Sequence, residues 1–488
     1  LGERNIAKEK VWKAIDNLGL QSTLCLSMAH LALRENEKLS WYNLIYDKYG
    51  YQPIEKLDES KQLNLENITT SPTTSYNKDD LEKYKVSIII PTFNAADTIH
   101  IALESLMNQT MRNLEILVVD DCSTDNTAEV VENYAARDRR IKLIVKEKNE
   151  GAYMARNKGL QYVTGDFITV HDSDDWSHSE KIEKQLLALL KDTKKVGSIS
   201  YWVRVSDDLT PLNPNPLLNP KFLIMNSSSL LIRKEVFEKL GGWDSVRVAG
   251  DTEFIYRIMK AFGEDSIVQV EPEVPLSLSL STEGSLTNAS ITSIKTVRFG
   301  LRRTYEDAFR WWHEQINSVD ELYLDPKREN RPFPCPVPNR IQKDIERNYD
   351  TILIADFSEK SLIDICISLM EKLIAKSKRV GIFHWPHYEG DPSRTVDVKI
   401  FDFILKNSID ILVPDEVLNT EKIFILTPKI LDYALDKAPK VMYKRAYVAD
   451  EQDLKQEQRL IRSRNLEKTL NISAEWLPLS ELQIIISE

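Results

Sequence analysis

Asp172 and Asp174 stand one residue apart, and on an extended segment both side chains leave the same face of the chain. Two carboxylates so placed suit a hard divalent ion whose coordination is completed by the oxygens of a substrate phosphate. Mg²⁺ or Mn²⁺ with a diphosphate is the chemistry that fits. An Asp-x-Asp triplet alone is a weak signal, because acidic loops at strand ends are common. Its setting strengthens it: one apolar run ends in Pro91-Thr92-Phe93-Asn94, a second in Asp120-Asp121, and a third in Asp172-Ser173-Asp174-Asp175. Three strands with such ends would place carboxylates along one rim of a parallel sheet, where α/β proteins bind ligands.

The elements that must position these residues alternate in type. Val86 to Ile90 is a β-branched run too short for a helix and typical of a strand buried on both faces. Ala95 to Gln109 puts Ile99, Leu103, Leu106 and Met107 on one helical face, and Leu114 to Val119 returns to strand character. This predicts a βαβ unit with a right-handed crossover. Turn chemistry from Asp121 to Thr127 leads into a helix at Ala128 to Arg137, followed by a strand at Ile141 to Val145 and another that leads from Gly165 into the third acidic cluster.

At this point a resemblance is visible. Pro-Thr-Phe-Asn at 91 to 94, Val-Val-Asp-Asp-Cys-Ser-Thr-Asp-Asn-Thr at 118 to 127, Asn-Glu-Gly-Ala-Tyr-Met-Ala-Arg-Asn-Lys-Gly at 149 to 159 and His-Asp-Ser-Asp-Asp-Trp at 171 to 176 resemble the inverting glycosyltransferases of family 2, which have the GT-A fold. Gly241-Gly242-Trp243-Asp244 followed by Gly250-Asp251-Thr252-Glu253-Phe254 is similar to the segment that carries that family's base. Within the family the likeness is closest to bacterial capsule and glycosaminoglycan-type polysaccharide synthases. The resemblance covers about residues 84 to 310.

It implies that Pro91, Thr92, Phe93 and Asn94 line a nucleotide pocket, that Asp120 or Asp121 holds uracil or ribose, and that Arg156 lies against base or diphosphate. Asp174 would be the direct metal ligand, with Asp172 on ribose or metal and Ser173 between them. Asp251 would be the general base; many relatives carry Glu just before that Asp where this chain has Gly250, which leaves Glu253 as the rival. The chemistry is consistent: inversion needs an acceptor hydroxyl deprotonated as it attacks, a step to which a placed carboxylate contributes roughly 10²–10⁴-fold. No nucleophilic Ser or Cys is required. Cys122 reads as a small packing residue, His171 as packing or a hydrogen-bond partner behind the acidic pair, or alternatively as a metal ligand, and Trp176 as either a sugar platform or a core residue.

The polar segment Ser277 to Thr287 suits a lid that closes over donor and acceptor, or a surface loop. Arg298, Arg302 and Arg303, with Trp311, Trp312 and His313 beyond, read either as a grip on an anionic group or as a solvated helical face. Residues 1–57 read as short amphipathic helices, 58–83 as a polar linker, 84–330 as the GT-A domain and 331–340, with its prolines, as a stiff connector. Residues 341–488 read as a Rossmann-like α/β domain. Its glycine-rich turn is replaced by Phe357-Ser358-Glu359-Lys360, which argues against a nucleotide of its own, and His384, Trp385, Pro386, His387 and Tyr388 cluster at a strand end, where they read as an ordered loop or, alternatively, as a metal or sugar site.

A net charge of −11 excludes a nucleic-acid partner, since backbone phosphates demand a basic surface. No apolar run approaches the ~20 residues of a membrane helix. The cysteines at 25, 122, 335 and 366 are scattered without a zinc or disulfide pattern and fit a reducing cytoplasm, with at most peripheral contact at the inner face of the membrane. The chain opens on Leu1, which reads as a piece of something longer. The expected activity is metal-dependent, inverting transfer of a hexuronic acid or N-acetylhexosamine from a UDP-sugar to a growing bacterial surface polysaccharide, beside a partner transferase or export complex. Its alternatives are a catalytically weak scaffold of the same fold and a nucleotidyltransferase, the last lacking a glycine-rich basic loop near the first strand.

Overall fold

The computed structural model of the chain describes residues 2–72, 81–213, 221–281, 290–328, 330–342, 345–391, 394–451 and 454–487. Contacts divide the chain into two compact units: residues 1–245, 250–285 and 318–327 form the first, and 246–249, 286–317 and 328–488 the second.

The first unit opens with three helices, α1 (Gly2–Leu18), α2 (Ser22–Leu31) and α3 (Glu35–Lys48), then a small antiparallel pair, β1 (Ile54–Lys56) and β2 (Ile68–Thr70). The alternating segment follows as β3 (Val86–Thr92), α4 (Ile99–Met107), β4 (Leu114–Asp120), α5 (Thr127–Arg137), β5 (Ile141–Val145), α6 (Ala152–Leu160) and β6 (Phe167–Val170). Strands β3 to β6 pair in parallel in the order β6-β3-β4-β5. Every residue of β3 and β4 is buried, the sandwiched environment their unbroken β-branched runs require. The sheet continues through β12 (Leu231–Arg233), antiparallel to β6, to β8 (Gly197–Ile199) and β13 (Ile267–Gln269). A second, mixed sheet holds β7 (Asp175–Ser177), β14 (Pro275–Leu280) and β9 (Tyr201–Val205).

Two boundaries differ from the sequence expectation. The stretch expected to be a linker at 58–83 carries buried Leu63, Leu65 and Ile68, which join one core with α2, α3 and the mixed sheet. Its polar residues organise a loop: the Asn67 amide donates to Asp58 O at 2.9 Å and Gln62 O at 3.0 Å and accepts the Asp58 N–H at 2.9 Å. Residues 73–80 lie outside the described residues. The stretch at 331–340 is not a free spacer either: Phe333, Cys335 and Val337 are buried, and Phe333 stacks on Trp312 at 5.2 Å between centroids.

In the second unit the helix Leu301–Gln315 precedes β15 (Asn348–Ala355), β16 (Val380–His384), β17 (Asp410–Leu412), β18 (Val417–Ile425), β19 (Lys440–Asp450) and β20 (Glu475–Pro478). All five pairings are parallel, in the order β17-β16-β15-β18-β19-β20. Counted from the unit's own first strand this is 3-2-1-4-5-6, the doubly wound Rossmann order. That helix was expected within the transferase domain; its buried Trp311, Trp312 and His313 place it in the second unit instead.

Candidate functional site

The carboxyl ends of β3, β4 and β6 bring the three motifs to one rim of the first sheet. At the end of β3, Thr92 is buried and its Oγ1 has no hydrogen-bond partner among the described residues. Phe93 is exposed. Asn94 adopts a left-handed φ of 49°, a conformation Asn tolerates better than most residues. There its N–H donates to Ser123 Oγ at 2.8 Å and its Oδ1 accepts the Thr124 N–H at 2.8 Å, so the first and second motifs are tied together.

Asp120 and Asp121 part company. Asp121 is buried, pairs with Lys146 and accepts the N–H groups of Glu150 at 3.1 Å and Gly151 at 2.6 Å. Its carboxylate is consumed in setting the entry to α6, where Gly151 sits at φ 89° without the steric cost a side chain would bring. Asp120 is held by the Ser123 hydroxyl.

Helix α6 then brings Tyr153 and, one turn on, the consecutive Arg156 and Asn157 to the rim. Its close approach to the sheet depends on Gly159, where an added Cβ would lie 2.6 Å from Ile89 Cγ2. Arg156 is 4% exposed. Its guanidinium lies over the rings of Tyr153 and Trp243, at 5.0 and 5.9 Å from their centroids, and one nitrogen donates to Asp172 Oδ1 at 3.0 Å. Nε and Nη1 are buried and have no hydrogen-bond partner among the described residues, a costly arrangement in a protein interior. Asn157 clamps the turn after residue 241, accepting the Trp243 N–H at 2.9 Å and donating to Trp243 O at 2.8 Å.

Asp251 opens the helix Gly250–Phe262, whose N-terminal dipole favours an ionised carboxylate. Its Oδ1 accepts the Tyr153 hydroxyl at 2.9 Å and its Oδ2 the Ser227 hydroxyl at 2.7 Å. Tyr153 therefore links Asp251 to the helix that carries Arg156. Glu253, two residues on, is fully buried in a two-pronged pair with Arg257, Nε to Oε1 at 2.9 Å and Nη2 to Oε2 at 3.0 Å. Arg257 in turn donates to the carbonyls of Leu240 and Gly242, so this pair builds the turn below the site.

The acidic triplet is crowded. Burial, and then Asp172 beside it, push Asp174 up to about 6; burial, with Asp174 and Asp172 beside it, pushes Asp175 well above the ordinary carboxylate range. Behind them a buried relay is fixed. Lys181 donates to Ser177 Oγ at 3.1 Å, the Ser177 hydroxyl meets His171 Nε2 at 2.8 Å, and His171 Nδ1 meets Asp172 O at 2.8 Å. Both ring nitrogens are engaged and burial pulls the His171 pKa down to about 3, so His171 supports the triplet from behind as a neutral ring. Among the described residues no group of three or more His, Cys, Asp and Glu is arranged to hold a metal alone. The pair Asp172 and Asp174 fits an ion that shares its coordination with phosphate oxygens, and a cation there would relieve the repulsion that raises Asp174.

Other expectations fall away from the rim. Trp176 is a buried core residue of β7. Cys122 has φ 66° and its Sγ reaches Glu147 O at 3.6 Å. Of the expected lid, 277–280 is strand β14, largely buried, and 282–287 lie outside the described residues. Arg302 donates to Thr292 O at 3.0 Å and Arg303 pairs with Asp307 at 2.9 Å. Tyr153, Asn157, Ser227 and Trp243 were not singled out as site residues. Tyr153 and Asn157 lie inside the motif at 149–159, but Ser227 stands in a serine run that carries no chemical signal of its own.

Residues 87–241 match the family described as Glycosyl transferase family 2. The chain is 30% identical over 188 residues to the putative glycosyltransferase EpsE of Bacillus subtilis, covering 37% of this chain and 67% of that protein. It is 37% identical over 128 residues to the putative teichuronic acid biosynthesis glycosyltransferase TuaG of the same organism, covering 26% and 50%. Against the UDP-Glc:alpha-D-GlcNAc-diphosphoundecaprenol beta-1,3-glucosyltransferase WfgD of Escherichia coli it is 44% identical over 111 residues, covering 23% and 43%. For the last two, the chain spans about half the length of the relative it matches.

Proposed function

The chain belongs to glycosyl transferase family 2, and from that premise we propose that its first unit, of the GT-A type, is an inverting transferase. It moves a hexuronic acid or N-acetylhexosamine from a UDP-sugar to the end of a growing bacterial surface polysaccharide. A UDP-sugar donor stands in the name of WfgD and teichuronic acid in that of TuaG. The observation that carries the reading is Arg156, a buried cation whose Nη2 bonds to Asp172, whose Nε and Nη1 have no hydrogen-bond partner among the described residues, and whose ring neighbour Tyr153 bonds to Asp251. Such a cation calls for an anionic ligand that brings acceptors for both nitrogens, and a diphosphate is one.

In this reading Thr92, Phe93, Asn94 and Asp120 receive the nucleoside, because Asp121 is already spent on the 146–151 turn. Asp172 and Asp174 would hold Mn²⁺ or Mg²⁺, which when bound neutralises charge on the leaving diphosphate. Asp251 takes the proton of the acceptor hydroxyl as that oxygen bonds to the anomeric carbon and the bond from the anomeric carbon to the phosphate oxygen breaks. The Tyr153 and Ser227 hydroxyls hold the carboxylate in place for this step, and Arg156 receives the departing charge. No described helix is long and apolar enough to cross a membrane.

The test is UDP release from UDP-glucuronic acid, UDP-GlcNAc and UDP-GalNAc with Mn²⁺. Release from one of them, abolished by Asp174→Ala together with Mn²⁺-assisted UDP binding, is the expected result. No release from any donor, or an Asp174→Ala variant that binds UDP and Mn²⁺ like the parent, would overturn it.

A further inference from the structure

In a doubly wound sheet a crevice opens outside the carboxyl ends of the strands where the order reverses. In the second unit that point lies between β15 and β18, and the bond from the Asp356 N–H to Thr427 Oγ1 at 3.1 Å joins the two strand ends. A nucleotide-binding turn would offer free backbone N–H groups there to a pyrophosphate. Here the donors are taken. The Asp356 carboxylate accepts the Ser358 N–H at 3.0 Å, the Ser358 hydroxyl at 2.6 Å and the His387 N–H at 3.0 Å. A second anion would meet a carboxylate where a phosphate needs donors.

What the crevice offers instead is hydroxyl-matching groups beside aromatic faces. His384 Nδ1 accepts the Phe357 N–H at 3.1 Å, which keeps the ring's proton on Nε2 as a donor. The loops after β16 and β18 converge where His387 Nε2 lies 3.7 Å from Asp432 Oδ2. The next residue on each is a tyrosine. Tyr388 is 77% and Tyr433 44% exposed, yet their ring centroids are 4.7 Å apart, and the Tyr433 hydroxyl donates to Glu389 Oε1 at 2.8 Å. Two aromatic rings packed against each other at 43°, Tyr388 mostly exposed and Tyr433 partly so, match the C–H face of a pyranose, while carboxylate and imidazole groups at the edge match its hydroxyls.

We propose that the crevice at the carboxyl ends of β15, β16 and β18 is a carbohydrate-binding site, in which uncharged sugar residues of the acceptor glycan stack on Tyr388 and Tyr433. The acceptor role rests on the glycosyl-transfer reading of the first unit; the sugar site does not. The full chain is tested on an array of defined uncharged and uronate-containing oligosaccharides, with UDP and Mn²⁺ titrated in parallel by calorimetry. Uncharged oligosaccharides should be retained, and the double variant Tyr388→Ala/Tyr433→Ala should weaken their binding at least about tenfold while UDP still binds once per chain with affinity changed by less than about twofold. No retained oligosaccharide, undiminished binding by the double variant, or a second UDP per chain would overturn the proposal. Tyrosine-dependent glycan binding by a chain that releases UDP from no donor would leave the sugar site standing and sink only the transferase reading.

Discussion

Asp251 and Glu253 are two residues apart on one helix, and their surroundings give them different work. Asp251 accepts hydroxyls from Tyr153 and Ser227, whereas Glu253 is sealed against Arg257 with no exposed side-chain surface. Removing one partner of a buried ion pair typically costs about 3–5 kcal/mol. Glu253→Gln should therefore lower the melting temperature clearly while the folded fraction keeps its rate of transfer; a stable but inactive variant in thermal melts and assays would show that Glu253 takes part in the chemistry. In the second unit, burial pushes Glu416 up to about 7 from 4.5, against the opposing pull of Arg347. With the folded pKa raised, the folded chain binds the proton more tightly, so the contribution of this group is fully present below about pH 4.5 and lost as pH rises through about 7. Glu416→Gln should accordingly stabilise the chain by about 1–3 kcal/mol at pH 8 and by little at pH 5; equal effects of the substitution in melts at the two pH values would contradict this.

Helix α6 is the element on which the site turns, since it carries Tyr153, Arg156 and Asn157 and rests on the sheet through Gly159. Gly159→Ala forces a Cβ toward Ile89, an overpacking that costs about 1–3 kcal/mol. It should also lower transfer, because the whole helix must shift; unchanged melting temperature and rate would show that the helix has room. The strands around it were legible because Val86 to Ile90 and Leu114 to Val119 are continuous apolar runs, and the rim could be read from the polar residues that end them. The surroundings of Asp251 were not legible. Tyr153 and Ser227 lie 98 and 24 residues from it in the chain, and no local pattern announces a hydroxyl that arrives from so far. The loop at 58–70 was misread for a related reason, as its polar residues bond to one another and its few apolar ones find a core made by distant helices.

At the scale of the molecule, the chain contributes to its second unit more than once, with 246–249 and 286–317 as well as 328–488. A prediction of two domains joined at a proline connector would have fragment 337–488 fold alone. Its loss of Trp311, which packs on Phe401 at 5.7 Å, and of Phe299, which packs on Phe383 at 6.2 Å, argues that it unfolds without cooperativity, whereas fragment 286–488 should show a sharper urea transition. Equal transitions for the two fragments would restore the connector. Transfer by the whole chain depends, in the proposed mechanism, on Asp251 acting as base beside a metal-assisted UDP-sugar site. Its most direct test pairs UDP binding by calorimetry with transfer, or release of UDP to water, for the parent and Asp251→Asn, which retains size and most hydrogen bonds. UDP affinity should change by less than about twofold while turnover falls by about two orders of magnitude or more; near-normal turnover by Asp251→Asn would contradict the role of Asp251 as base.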